Sequence, residues 1–316
     1  MPDAPRVDSA LPPTVRASAV TVGTFDGVHI GHSDVLRRLV ALARERGMAS
    51  VVVTFSPHPT EVVRPSAVPM LLTPGLEKFE ALATIGVDYC AVVPFTRDLA
   101  GLTAAEFVRQ ILRPRFRMEA LLIGHDHGFG RDRAGGREQL LALGAADDFA
   151  VTQVAPVCLA DGTVVSSSAI RRALAAGDLE TARQALGRPY SLSGVVQLGD
   201  QRGRTIGFPT INLGVPDPRK LLPPTGVYAA MVQTPGGAYP AMVNLGSRPT
   251  VSDARQTVEA HLIDFSGDLY GAPVRVDLAA GLRPIRRFEG LEELTAQLTA
   301  DREAARTALT RFVRTG

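Results

Sequence analysis

Apolar and polar positions follow two different rhythms along this chain. In the first part, short apolar runs alternate with stretches spaced at three and four residues. The run 17–22 is continuous and reads as a buried strand, broken by Gly23 and Gly27. From Ser33, the apolar positions Val35, Leu36, Leu39, Val40 and Ala43 recur at helical steps until Gly47 stops them. Further strands are expected at 50–55, 89–93, 120–123 and 150–157, and helices at 75–85, 104–112, after Ser168 as far as Ala176, and 179–186. Near-continuous apolar strands separated by helices predict a parallel sheet covered on both faces. In such sheets, ligands bind beyond the carboxyl ends of the strands.

Beyond Leu186 the helical rhythm vanishes. Short β runs at 193–197, 226–233, 238–245, 258–265 and 274–280 are separated by Gly and Pro turns, the signature of a small antiparallel barrel or sandwich. A last amphipathic helix, 291–312, shows Leu291, Leu294, Leu298, Ala305 and Leu309 on one face, which should pack on the barrel. The expected class is therefore α/β, with a flexible tail at 1–16, a first domain at 17–186 and a second at 187–316.

Composition narrows this a little. A chain of 316 residues accommodates two domains, and 45% hydrophobic content fits a soluble protein. The formal charge of +2 and the lack of a clustered basic helix give nucleic-acid binding no support. The opening residues lack the apolar core of a signal peptide, and no apolar run reaches membrane-spanning length. Cys90 and Cys158 sit far apart in apolar surroundings and read as buried thiols, which suits the cytoplasm. Neither Lys78 nor Lys220 follows a Gly-x4-Gly pattern, so a Walker-A loop is excluded. Backbone N–H groups, Arg, His, Ser or Thr are then expected to hold any phosphate.

Four stretches of the first half carry chemistry. Gly23-Thr24-Phe25-Asp26-Gly27-Val28-His29-Ile30-Gly31-His32 lies where a strand hands over to a helix. That junction presents free N–H groups and a partial positive charge, which suit phosphate and favour neutral imidazoles at His29 and His32. Ser56-Pro57-His58-Pro59 is a stiff loop that fixes the direction of the His58 imidazole. Gly124-His125-Asp126-His127-Gly128-Phe129-Gly130 permits close approach of a ligand, with Asp126 and Phe129 as candidates. As a metal site it is poor, because adjacent ligands in an extended loop diverge. Ser166-Ser167-Ser168-Ala169-Ile170-Arg171 opens a helix with more hydroxyls than a cap needs, and reads as a second anion site formed by Ser167, Ser168 and Arg171. In the second half, Gly203, Arg204, Gly207 and Pro209 belong to a glycine-rich turn able to wrap phosphates. Thr210 and Asn212 alternate on an extended segment, so both point one way and suit Mg²⁺.

Gly-x-Phe-Asp-Gly-x-His-x-Gly-His resembles the adenylyltransferase half of the bacterial bifunctional riboflavin kinase/FAD synthetases, within the wider HxGH nucleotidyltransferases. Gly207-Phe208-Pro209-Thr210-Ile211-Asn212, Pro224-Thr225-Gly226-Val227-Tyr228, Asn244-Leu245-Gly246-Ser247-Arg248-Pro249-Thr250 and the run from Glu259 to Gly271 resemble the riboflavin kinase module. The resemblance spans nearly the whole chain. Departures are few: Val165 and Ser168 replace the usual Ile and Thr of the serine motif, and His127 precedes Phe129 where an aromatic is usual. It implies a Rossmann-like nucleotidyltransferase sheet joined to a small β-barrel. It also implies two reactions: ATP and Mg²⁺ convert riboflavin to FMN, and ATP then adenylylates FMN to FAD with release of pyrophosphate. Glu259 matches the family's general base, and His58, Asp126 and Phe129 are the expected flavin contacts. The second step needs alignment and charge neutralisation rather than a base, which His29 and His32 would supply together with Gly23, Phe25, Asp26, Gly27 and Gly31. The expected partners are ATP and flavins, without nucleic acid or membrane, in a monomer or weak homo-oligomer. A flavin sensor without turnover, or transfer to a different phosphate substrate, are the competing readings.

Overall fold

The computed structural model describes residues 6–7, 10–125, 130, 136–199, 202–215, 217–249 and 254–315. The chain divides into two compact units, Met1–Ser167 and Ser168–Gly316.

The first unit is built on six strands: β1 (Arg6–Val7), β2 (Ser18–Val22), β3 (Ala49–Ser56), β4 (Tyr89–Pro94), β5 (Met118–Ile123) and β6 (Ala150–Gln153). They pair in parallel in the order β1-β4-β3-β2-β5-β6. Strand alternation feeds two cores. Val20, Val22, Val51, Val53, Leu121 and Ile123 pack on one face with Phe107, Leu112 and Leu140. Ala19, Val52, Cys90 and Leu122 pack on the other with Leu36, Leu39 and Leu82. Both faces are thus covered, as the apolar strands require. Helix Ile30–Glu45 buries Val35, Leu36, Leu39, Val40 and Ala43, the five positions read from its spacing. The chain runs from β2 outward to β4, then returns to place β5 on the other side of β2, so the sheet's switch point lies at β2.

Several elements depart from the sequence reading. The helix expected at 104–112 is helical at Ala104–Phe107, widens to a π-helical stretch at Val108–Leu112 and closes at Arg113–Phe116. Pro114 has no N–H to give Gln110, and the turn ahead of it is widened, with Arg113 N–H on the Val108 carbonyl. Helices Pro59–Val63 and Arg137–Asp147 carry little apolar spacing and were not foreseen. Within the opening stretch read as a tail, β1 pairs with β4 and Leu11 is buried in the core. Cys158 is exposed rather than buried; Cys90 is buried as expected.

The second unit contains helix Leu179–Leu186 and a closed antiparallel barrel. Its strands are β7 (Tyr190–Gln197), β8 (Ile211–Gly214), β9 (Gly226–Thr234), β10 (Gly237–Pro249), β11 (Ala254–Leu262) and β12 (Pro273–Arg283), in the order β10-β11-β8-β7-β12-β9. Closure leaves no free edge. Helix Leu291–Thr315 lays Ala305 and Leu309 against Val227, Ala229, Met242, Phe208 and Ile263. Leu291, expected on that packing face, is exposed at the start of the helix. An ion pair between half-buried Arg283 and buried Asp301, at 2.7 Å, ties the end of β12 to this helix. Helix Leu179–Leu186 packs on β7 and β12, so by packing the chain divides ahead of residue 186.

Candidate functional site

In the first unit, β2 delivers the chain into a turn with unusual backbone angles. Phe25 and Val28 adopt φ of 47° and 40°, and Gly27 adopts 88°. A left-handed β-branched residue is a strained one, so something must hold it. Asp26 does so. Buried at 2% exposure, its carboxylate accepts from Leu72 N at 2.9 and 3.0 Å and from Thr73 N at 2.9 Å. Thr73 Oγ1 in turn accepts from Gly27 N at 2.8 Å. Asp26 therefore clamps the turn onto a distant loop, a task the sequence reading did not give it.

The turn ends at His29, which caps helix Ile30–Glu45 by accepting from His32 N at Nδ1, 3.2 Å away. The His29 and His32 rings stack, with centroids 3.6 Å apart and planes 16° apart, and Phe25 meets His32 edge-on at 5.1 Å. Gly31 allows this, since a Cβ there would lie 3.2 Å from the His29 ring. Burial holds the His32 pKa well below its ordinary value, with His29 and Lys78 pushing the same way. The ring is accordingly neutral. Its Nδ1 is shielded from solvent and has no hydrogen-bond partner among the described residues. A stacked, neutral imidazole pair at a helix N-terminus is suited to donate to phosphate oxygens.

Ser167 Oγ, at the start of helix Ser167–Ala175, donates to the Asp26 carbonyl at 2.7 Å. Ser168 and Arg171 follow on that helix. Lys78, on helix Leu76–Ala83, was set aside in the sequence reading. It is a cation close enough to act on both His32 and Asp26, with its own pKa lowered by burial against the pull of Asp26. A single lysine outside any motif gave no signal of this. His58 caps helix Pro59–Val63: Nδ1 accepts from Thr60 N at 3.2 Å, and Glu61 bonds back to His58 N. Asp126 and Phe129 lie outside the described residues.

The second unit has a cavity of about 270 Å³, lined by Gly203, Phe208, Thr210, Asn244, Glu259 and His261 on the barrel side. Arg283, Arg286, Phe288, Leu294 and Leu298 line it from the end of β12, the segment after it and the last helix. Strand parity explains the grouping. Ile263 belongs to the helix-facing cluster, so His261 and Glu259, two and four residues earlier, share that side. Val258, Ala260 and Leu262 are buried on the other face of the strand. Glu259 stands directly opposite Asn212 of β8 and Asn244 of β10, and Asn212 opposite Gln197 of β7. Four polar side chains thus form one row across four strands. A Cβ at Gly199 would come within 2.0 Å of Asn212 Nδ2, so only glycine leaves room for that amide. The Gly203 to Pro209 stretch forms a short helix, Arg202–Thr205, and a turn in which Phe208 N bonds to Gly203 O at 2.8 Å. Arg204 is exposed on that helix, and Gly207 adopts a φ of 81°.

A histidine turn on a parallel sheet and a polar cavity in a barrel are the candidate sites of a phosphoryl- and nucleotidyl-transfer enzyme. The FAD synthetase family matches residues 11–169, and the riboflavin kinase family matches residues 186–309. Bifunctional riboflavin kinase/FMN adenylyltransferases share 41% identity over 288 residues in Escherichia coli K12, covering 91% of each chain. Those of Pseudomonas fluorescens and Bacillus subtilis share 40% over 297 and 35% over 296 residues, covering 94% and 91% of each chain. A crystal structure from Streptococcus pneumoniae, described as a macrolide-efflux protein, is 31% identical with a TM-score of 0.86, covering 95% of this chain and 98% of that one. No helix among the described residues is long and apolar enough to cross a membrane. The chain belongs to the bifunctional riboflavin kinase/FMN adenylyltransferase family: it makes FMN from riboflavin and FAD from FMN.

Proposed function

We propose that the two steps are divided between the two units, with ATP as donor in both. The separation of the two phosphate-handling clusters carries this reading: His29, His32 and Ser167 in one compact unit, Thr210 and Glu259 around one cavity in the other. In the second unit the riboflavin 5′-hydroxyl attacks the γ-phosphorus of ATP. Glu259 takes the hydroxyl proton, and ADP leaves. Gly203, Arg204, Gly207 and Pro209 shape the turn beside the phosphates. The donor set fits Mg²⁺, because a hydroxyl and an amide oxygen leave most positions to phosphates and water. Held with Thr210 and Asn212, Mg²⁺ would offset charge on the transferring phosphoryl oxygens.

In the first unit an FMN phosphate oxygen attacks the α-phosphorus of ATP, and pyrophosphate leaves. The nucleophile is already anionic, so the protein supplies alignment and donors. His29 and His32 hydrogen-bond the phosphates in transit, and Ser167 holds the pyrophosphate; the family resemblance adds Ser168 and Arg171, which follow Ser167 in the chain, to that role. Asp26, Phe25 and the glycines Gly23, Gly27 and Gly31 shape the turn that presents them. We place the functional boundary near residue 186, where the riboflavin kinase match begins. We place the enzyme in the cytoplasm, as two cysteines kept in the thiol form suit.

Product analysis by chromatography tests the division. His29→Ala should abolish FAD formation and spare FMN formation, while Glu259→Ala should do the reverse. Removal of one preorganised donor costs about 3 kcal/mol, or roughly 10²-fold or more in rate. Equal loss of both products in either variant refutes two separate sites.

A further inference from the structure

We infer that His261 is a positioning residue of the kinase site, fixing the turn that presents Thr210 beside Glu259. The inference rests on the roles given above to Thr210 and Glu259. His261 is 8% exposed, lines the cavity and shares a strand face with Glu259. Its Nδ1 lies 2.8 Å from the carbonyl oxygen of Pro209, the residue before Thr210. A carbonyl can only accept, so Nδ1 carries the proton and the neutral ring keeps its lone pair at Nε2. Pro209 has no N–H, so its carbonyl is the only backbone hydrogen-bonding group it offers. His261 takes it.

The same ring meets Phe208 edge-on, with centroids 5.3 Å apart, and Arg302 of the last helix sits 5.6 Å from the Phe208 ring centre. The two residues ahead of Thr210 are therefore fixed together, one by its ring and one by its carbonyl. Burial and Arg302 favour the uncharged imidazole, against the Pro209 carbonyl and Asp264. An apolar side chain would fill this space as well as histidine does. It would leave the Pro209 carbonyl without its donor, and Thr210 after a turn held at Phe208 but not at Pro209.

Three substitutions separate positioning from packing. His261→Asn keeps an N–H donor close to the Nδ1 position. His261→Gln moves the donor to the Nε2 position, and His261→Leu removes it. FMN synthesis is measured for each at varied Mg²⁺-ATP and varied riboflavin; FAD synthesis from added FMN reports on the first unit, and circular dichroism with the unfolding midpoint reports that the barrel is folded. The Asn variant should stay within a few-fold of the parent. The Gln and Leu variants should lose roughly 10²-fold in FMN synthesis, the scale of a ~1 Å misplacement. Their KM for Mg²⁺-ATP should rise more than that for riboflavin, with FAD synthesis unchanged. If Leu or Gln retains FMN synthesis, or Asn loses as much as Leu, His261 does not position Thr210. Should the Leu variant fail to fold, the comparison of Asn with Gln decides alone. A Glu259→Gln chain that still makes FMN would instead overturn the underlying assignment.

Discussion

Replacing Asp26 by Ala removes the acceptor for two buried donors, Leu72 N and Thr73 N, held at 2.9 to 3.0 Å. Leu72 is fully buried and Thr73 nearly so, which limits rescue by water. Leaving a buried N–H without a partner costs about 1–3 kcal/mol, so the pair costs about 2–6 kcal/mol. That is a large part of a typical 5–15 kcal/mol stability. The clamp also holds Phe25 and Val28 at positive φ, a strain of order 1–3 kcal/mol each. Once released, the turn relaxes and the imidazole stack loses its place. FAD formation should fall roughly 10²-fold or more, while FMN formation survives. Hydrogen exchange should show the Leu72 and Thr73 amides losing protection, and denaturant titration should show the stability loss. Asp26→Asn keeps one acceptor oxygen and should cost less. If Asp26→Ala changes stability by less than about 0.5 kcal/mol, the scale of an unremarkable surface change, and leaves both amides protected, the clamp is not what holds the turn.

Other outcomes follow from the same geometry. His32 has its folded pKa lowered by burial, so the unfolded chain takes up the proton more readily; its contribution to stability is complete above the ordinary value of about 6.5 and is lost as pH falls toward the folded value. Denaturation midpoints across pH should show this acid-side loss, and the loss should shrink in His32→Ala, along with FAD formation itself. Asp301→Ala removes the carboxylate partner of the part-buried Arg283 and should destabilise by about 1–3 kcal/mol in urea unfolding. Gly199→Ala should displace the Asn212 amide and raise the Mg²⁺ concentration needed for FMN synthesis, read from a metal titration after chelation, with FAD synthesis from FMN as the unaffected reference.

Much of the architecture was legible because burial writes itself into local spacing. The five core positions of helix Ile30–Glu45 are a local pattern, and all five are buried as read. Helix Arg137–Asp147 buries only Leu140 and Gly144, too little to leave a period. Leu291 fits the helical stripe, yet it precedes the turns that reach the barrel and is exposed. At the sites, the histidine turn and the kinase segments were visible as motifs. What stayed hidden is held by partners distant in sequence. Asp26 meets a loop 46 residues away, and His261 meets Pro209 52 residues away. Lys78 acts across space on a turn it does not adjoin. No local window contains such pairs.

The cross-strand placement of Asn212 against Glu259 makes chain length inside β8 and β11 a chemical constraint. Deleting or adding one residue within either strand would turn every later side chain to the opposite face and give Glu259 a new neighbour, even if the closed wall re-formed. Connecting turns can lengthen or shorten as variants arise, but these two strands are fixed in size. Altered chemistry at this barrel has to come by exchanging side chains, one position at a time.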